Sequence, residues 1–446
     1  MVWGMSSAIG EDQASAALPQ VQWLDTFERL SAARDAGLVE ADDLERLAVA
    51  AYMLGRDSVC EKAWIAAHQE WLRRGERERA ASCAFRHALG LFFRGDLAPA
   101  IGWVGRGGRL LEQSRSDSIE HAWLRMLTDL PRLFRGDPGA GSTFVEAEER
   151  SERLGNVDAV TFARIGRGYS LILERHVARG MALLDEVMVS VAAGEVAPVL
   201  SGIAYCQVIT LCHDVFDLRR AHEWTEALTR WCDAQPGIVP FRGHCLVHRC
   251  ELLQLRGAWT DAVEHAEQAC SWLAGPPIWD ALGSAYYQLA EIQRLRGDLA
   301  AAEESYLQAS LAGRDPEPGM SLLRLGQGRI DLALPAVRRA LAEATGPTAR
   351  SRLLPACVEI MLEARETGPA RTAADELARL AAEFDTPFLE GLVADAYGAV
   401  LVAEGDPSGC ASPPTCRASR VARPRCSASN GTSPHPHRSC LSCARR

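Results

Sequence analysis

The sequence predicts an all-α fold, a superhelical solenoid of stacked helix pairs. Three observations carry this expectation. A short glycine-centred element recurs along the chain, the apolar residues between its copies fall at helical spacing, and β-branched runs with strict alternation are scarce.

The elements follow in chain order. Residues 1–20, MVWGMSSAIGEDQASAALPQ, lack a basic start followed by an apolar run, so they read as a flexible leader and not as a signal peptide. Residues 21–405 carry the repeats. Their punctuation reads LGRD at Leu54–Asp57, FRGD at Phe93–Asp96 and Phe134–Asp137, LRGA at Leu255–Ala258, LRGD at Leu295–Asp298 and AEGD at Ala403–Asp406. Gly55, Gly95 and Gly136 are 40 and 41 residues apart, and Gly257 and Gly297 are 40 apart. Helix-pair repeats have periods of roughly 33 to 47 residues, so about nine pairs fit. Asp217, Gly328 and Gly368 mark weaker copies. Each glycine should end one helix in a left-handed cap, and the aspartate behind it should cap the start of the next.

The flanks support helices. Before Gly297, Leu282, Ala285, Leu289, Ile292 and Leu295 form one apolar stripe. Tyr286, Leu289, Ala290, Gly297, Ala302, Tyr306 and Ala309 stand at successive key offsets, and this unit resembles a tetratricopeptide repeat. The unit around Gly257 keeps Cys250, Ala262, Ala266 and Ala269 in the same register. Small residues at those places let paired helices approach closely.

Composition narrows the function classes. Of 446 residues, 48% are hydrophobic and 24% charged, ordinary values for a globular chain. The net charge is −10, from 48 basic and 58 acidic residues. Residues 410–446 hold seven arginines and no acid, so the body is strongly acidic, which excludes a basic nucleic-acid-binding body. The most apolar stretch, near Gly202 to Phe216, contains Gln207, Thr210, His213 and Asp214 and is too polar to span a bilayer. The expected location is cytoplasmic, without membrane contact. The nine body cysteines, Cys60 to Cys357, fall among apolar neighbours and read as small core residues.

Residues 406–446 break every rule of the body, with Cys, Pro, Ser and Arg in excess and no helical period. The foremost reading is a frame-shifted translation; a disordered basic tail and a zinc element at His435, His437, Cys440 and Cys443 are the alternatives. As a domain, the segment is a disordered basic tail.

Motifs for catalysis are missing. The sole lysine, Lys62, has no glycine frame of a phosphate-binding loop, and neither G-x-S-x-G nor H-E-x-x-H occurs. The clusters Gly105-Arg106-Gly107-Gly108 and Gly166-Arg167-Gly168 fail the dinucleotide-binding spacing and lie inside helical patterns. His244 and His248 stand one helical turn apart, where two imidazoles can share a metal. With no carboxylate expected on that face, they read as partly buried helix residues facing the neighbouring repeat. No catalytic residue, metal or cofactor is expected, and the chain is not expected to be an enzyme. Trp224, Trp231, Phe241, Arg242 and His248 combine aromatic anchors with a fork donor, the residue types enriched at binding hot spots, and are the candidate contacts for a partner or ligand. Core packing is the competing role for the same aromatics.

A second resemblance covers about residues 22–406. Tyr205-Cys206-Gln207-Val208-Ile209, Val215-Phe216-Asp217-Leu218-Arg219-Arg220-Ala221, Arg230-Trp231-Cys232-Asp233-Ala234-Gln235-Pro236 and Val239-Pro240-Phe241-Arg242-Gly243 look like the helical-repeat region of actinobacterial transcriptional regulators of the LuxR type. Leu44-Glu45-Arg46-Leu47-Ala48 and Pro318-Gly319-Met320-Ser321-Leu322-Leu323 are similar to the same group. The resemblance implies a non-catalytic regulatory scaffold that takes a protein, peptide or small-molecule effector in its concave groove. In that family a C-terminal helix-turn-helix binds DNA. Nothing after Asp406 reads as such a domain, so the expectation is a truncated copy that reaches DNA only through a domain this chain lacks. A stand-alone tetratricopeptide adaptor is the alternative.

Overall fold

The computed structural model describes residues 23–114, 117–235, 237–274 and 281–405, without the side chains of Pro138 and Arg242. The leader expected at 1–20 and the tail expected at 406–446, with its His and Cys residues, lie outside the described residues. Within them the chain is all-α, with twenty α-helices and no strand. It divides into two compact units, Met1–Val208 with Glu223–Cys245, and Ile209–His222 with Leu246–Arg446.

In the first unit α1 (Trp23–Asp35) is followed by α2 (Ala41–Met53), α3 (Asp57–Arg73), α4 (Arg77–Phe93), α5 (Leu97–Glu112), α6 (Glu120–Phe134), α7 (Gly141–Arg153), α8 (Val157–Leu173) and α9 (Val177–Ala192). Three helices carry residues of both units: α10 (Pro198–Asp214), α11 (Leu218–Asp233) and α12 (Arg242–Leu255). The second unit continues with α13 (Trp259–Leu273), α14 (Ala281–Arg296), α15 (Leu299–Leu311), α16 (Gly319–Gly326), α17 (Ile330–Glu343), α18 (Pro347–Glu363), α19 (Thr367–Phe384) and α20 (Pro387–Glu404). Between α1 and α20 the order is nine successive helix pairs, as the sequence spacing requires.

The joints show why the punctuation works. At Gly95 (φ +82°) the Gly95 N–H donates to the Phe92 carbonyl at 3.1 Å and the Asp96 N–H to the Leu91 carbonyl at 3.0 Å. This left-handed motif satisfies carbonyls that the end of a helix leaves open. The same device closes helices between pairs, at Gly75, Gly155 and Gly194. Four joints use other residues in the left-handed region, Arg175, Phe216, Arg365 and Asp385. Gly368, expected as a joint, lies inside α19, and Arg365 (φ +62°) turns the chain instead.

The aspartate caps are corrected at two of the joints. Asp96 and Asp298 sit at N-cap positions with ψ of 61° and 62°, and neither side chain accepts from the helix. A capping side chain reaches the next free N–H from an extended N-cap residue, which these are not. Their carboxylates turn back across the glycine to Arg94, at 2.8 Å, and Arg296, at 3.8 Å. The expected cap does form at two copies, where Asp137 Oδ1 accepts from the Gly139 N–H at 2.9 Å and Asp217 Oδ1 from the Arg220 N–H at 3.1 Å, and Asn156 Oδ1 does the same with the Ala159 N–H at 2.9 Å.

The core follows the small-and-large logic of the repeats. In the second unit Cys250, Ala262, Ala266 and Ala269 are buried together with Leu282, Ala285, Leu289 and Ile292. Ala290, Ala302 and Tyr306 form the next cluster, with Leu323. The glycines inside helices are packing devices. A Cβ on Gly107 would lie 2.4 Å from the Phe85 ring, and one on Gly166 would lie 2.2 Å from the Phe144 ring. All nine body cysteines are buried and none is in a disulfide, and burial pushes the Cys60 thiol up to about 12. Burial likewise raises the thiols of Cys83, Cys250, Cys270 and Cys357, so these stay protonated at neutral pH and serve as apolar filler.

Candidate functional site

The first unit contains a cleft of about 150 Å³ lined by α2, α3, α4, α6 and the starts of α8 and α10. Its wall is aromatic, from Tyr52, Trp64, Phe85 and Trp123. Helical spacing explains the lining. Asp57, Cys60, Glu61 and Trp64 follow at intervals of three and four residues along α3 and therefore share one face. Arg86, Leu89, Gly90, Phe93 and Arg94 repeat the arrangement on α4.

Polar groups stand among these apolar ones. The Arg86 guanidinium lies 5.9 Å from the Trp64 ring centroid, a cation–π separation, and Arg94 pairs with Asp96. Asp57 Oδ2 and His87 Nε2 are enclosed without a hydrogen-bond partner. Burial holds the Asp57 carboxyl above, and the His87 imidazole below, the usual ranges, in each case favouring the neutral form. The His87 ring meets Trp103 edge-on, with centroids 5.1 Å apart. Such a surface can bind an apolar group flanked by hydrogen-bonding groups. The Cys60 thiol beside it is held in its protonated form by burial.

The expected contact residues fall in several environments. Trp231 and Phe241 are buried in the first unit, their ring centroids 5.8 Å apart, and Tyr205 and Tyr52 extend the cluster at 5.9 and 6.2 Å. Gly202 makes room for Phe241, whose ring would stand 2.3 Å from a Cβ there. These aromatics are packed against one another. Trp224 is half-buried, with its indole Nε1 enclosed and unpartnered. Arg242 starts α12, and its side chain lies outside the described residues. His248 is buried in the second unit.

The reading of His248 is corrected in one respect. A carboxylate does share its face: Glu251 follows three residues later, with its Oε2 3.8 Å from His248 Nδ1. His213, from the last turn of α10, brings its Nε2 to 3.1 Å from the same Oε2. The pattern His-x-x-Glu was visible in the sequence; the approach of His213 from another helix was not. The cleft residues were missed as a group, because a face shared by α3 and α4 is marked in sequence only by ordinary core residues with scattered charges.

No family model matches the chain, and no curated protein is similar to it. Among solved structures, one of the APC/C hetero-tetramer Cut9-Hcn1 is similar, with 13% identity over 85% of this chain and 84% of that one and a TM-score of 0.32. Among the described residues no helix is long and apolar enough to cross a membrane.

Proposed function

We propose that this chain is a helical-repeat binding scaffold whose first unit takes a peptide segment or small effector in the cleft between α3, α4 and α10. The carrying observation is the combination of an aromatic wall with enclosed, unpartnered Asp57 and His87. Buried polar groups without partners cost free energy, and a ligand that supplies an N–H to Asp57 and a hydrogen-bonding group to His87 removes that cost. Trp64 and Arg86 supply the anchor and fork types that dominate binding energy at protein surfaces.

Selection of peptides from a random display library against the full chain tests this reading. Gly90 lines the cleft, and a Cβ there meets no atom within 4 Å, so the indole of Gly90→Trp enters the cleft from an open position on α4. Enriched peptides should bind the parent chain at least tenfold more tightly than the Gly90→Trp and Arg86→Ala variants. Peptides that bind all three alike refute the site.

The finer reading is the repeat region of a LuxR-type transcriptional regulator, supported by the sequence resemblance between Leu44 and Leu323. On that reading the bound effector controls transcription. The stand-alone adaptor reading makes the occupant a segment of a protein complex. Reading the gene in all frames past codon 406 separates them, since a regulator requires further helical repeats and a helix-turn-helix in one frame.

A further inference from the structure

In the second unit, His213, His248 and Glu251 form a group that neither the cleft nor the repeat packing uses. Each offers one ligand atom, and these atoms all lie within 4.8 Å of one another. Among the described residues it is the one such group of histidine, cysteine and acidic side chains. His213 Nε2 is 3.1 Å and His248 Nδ1 is 3.8 Å from Glu251 Oε2, and the two imidazole planes are nearly parallel, 14° apart.

These atoms are enclosed, and apart from their contacts with one another His213 Nε2, both ring nitrogens of His248 and Glu251 Oε2 make no hydrogen bond. His248 is only 8% exposed. Buried imidazole nitrogens normally find a donor or acceptor of good geometry, and three side chains that converge with their free atoms on one point, held by nothing but their mutual charge, point to something between them. Tetrahedral zinc with bonds near 2.0 to 2.1 Å places its ligand atoms about 3.3 Å apart. The ligand atoms here lie within 4.8 Å of one another, so an ion draws the widest pair together by up to about 1.5 Å.

The surroundings fit a metal ligand set. Gln288 Nε2 donates to the other carboxylate oxygen, Glu251 Oε1, at 2.8 Å, which fixes the carboxylate and turns Oε2 toward the histidines. The nearby cation Arg352 makes its ion pair with Asp214, at 2.9 Å.

We propose that His213, His248 and Glu251 bind a divalent first-row transition-metal ion, zinc by ligand type, which ties the last turn of α10 to α12 in the second unit. Two imidazoles and a carboxylate are borderline-hard ligands that suit zinc and its neighbours rather than calcium or magnesium. Three protein ligands leave a fourth position for water or an incoming ligand.

The test uses the full chain, stripped with a chelator and titrated with zinc chloride alone, with calorimetry and thermal melting as readouts, and with cobalt(II) as the spectroscopic probe. One zinc per chain should bind and raise the melting temperature. Glu251→Gln, nearly isosteric, should weaken binding at least tenfold, and Gln288→Ala should weaken it roughly tenfold through the lost orienting bond. Cys440→Ser with Cys443→Ser should leave the affinity unchanged. The cobalt form should show ligand-field bands without a thiolate charge-transfer band, a readout that does not depend on how well any variant folds. Failure to bind zinc, equal affinity in Glu251→Gln, or a thiolate band at stoichiometric cobalt would each overturn the proposal, the last assigning the metal to cysteines. Zinc binding is independent of the Gly90→Trp cleft test, so the two proposals fail separately.

Discussion

Replacing Gly166 with alanine should destabilise the first unit, although glycine inside a helix is ordinarily a weakness. Alanine gains about 1 kcal/mol over glycine in a helix interior. At Gly166, however, the added Cβ would stand 2.2 and 2.3 Å from Phe144 Cδ1 and Cε1, where ordinary contact begins near 3.4 Å. The ring must retreat by about 1 Å, and Phe144 is fully buried, with 0% exposure. Overpacking of a closed core costs about 1 to 3 kcal/mol, more when the ring has no open side to move toward. Taking the upper half of that range for a fully enclosed ring, the net effect is a loss of about 1 to 2 kcal/mol. Gly102 provides the control in the same unit. It is exposed in α5, and its Cβ would meet no atom within 4 Å, so Gly102→Ala should gain about 0.5 to 1 kcal/mol. Urea unfolding followed by circular dichroism reads both changes as opposite shifts of the midpoint. Phe144→Leu, costly alone, should cost less in the Gly166→Ala background, a coupling that a double-mutant cycle measures. If Gly166→Ala stabilises the chain as Gly102→Ala does, the claim that Phe144 is held rigidly against α8 is wrong.

Other perturbations have defined outcomes. Tyr306 is fully buried, donates its hydroxyl to Glu291 and accepts from Arg294 Nε at 3.3 Å, so Tyr306→Phe should cost about 1 to 3 kcal/mol in urea unfolding. A neutral result would mean that the Arg294–Glu291 pair, at 2.7 Å, satisfies the carboxylate alone. In acid, His68 and His87 should lower stability. Burial depresses both imidazoles; His68 Nδ1 bonds the Ala80 carbonyl at 2.7 Å, and its Nε2 accepts from Arg106 Nε at 2.7 Å, which requires the neutral ring. A depressed folded-state value means that the unfolded chain takes up protons first, so stability holds above about pH 6.5 and falls as the pH drops below it. The His68→Gln variant should show a shallower acid limb between pH 7 and 5. Finally, a thiol reagent should label none of the nine buried cysteines until denaturant is added, and rapid native labelling of Cys60 would contradict its enclosure.

The repeat register was readable because it is a local property. Gly55, Gly95, Gly136, Gly257 and Gly297 must adopt positive φ to end helices, and the glycine and its neighbours carry that requirement within four residues. The joints at Arg175, Phe216 and Arg365 were not readable in the same way. There a residue with a side chain is held in the left-handed region by the helices packed on either side. The role of the RGD aspartates depended on a backbone angle rather than on residue type, and Asp96 turned to Arg94 where Asn156, elsewhere, caps its helix. Among the candidate contacts, the sequence marked Trp231 and Phe241 by residue type, and the fold packs them against Tyr205 and Tyr52.

By itself the sequence determined the helix pairs, their number and the small residues that let them close, because helix formation and termination are decided within a few residues. Only the tertiary structure decided what those helices bring together. The cleft joins one face of α3 to one face of α4, and the group at Glu251 joins a histidine one turn away to another 38 residues earlier in the chain. Convergence of that kind depends on how separate helices pack, and no local pattern of residue types encodes it.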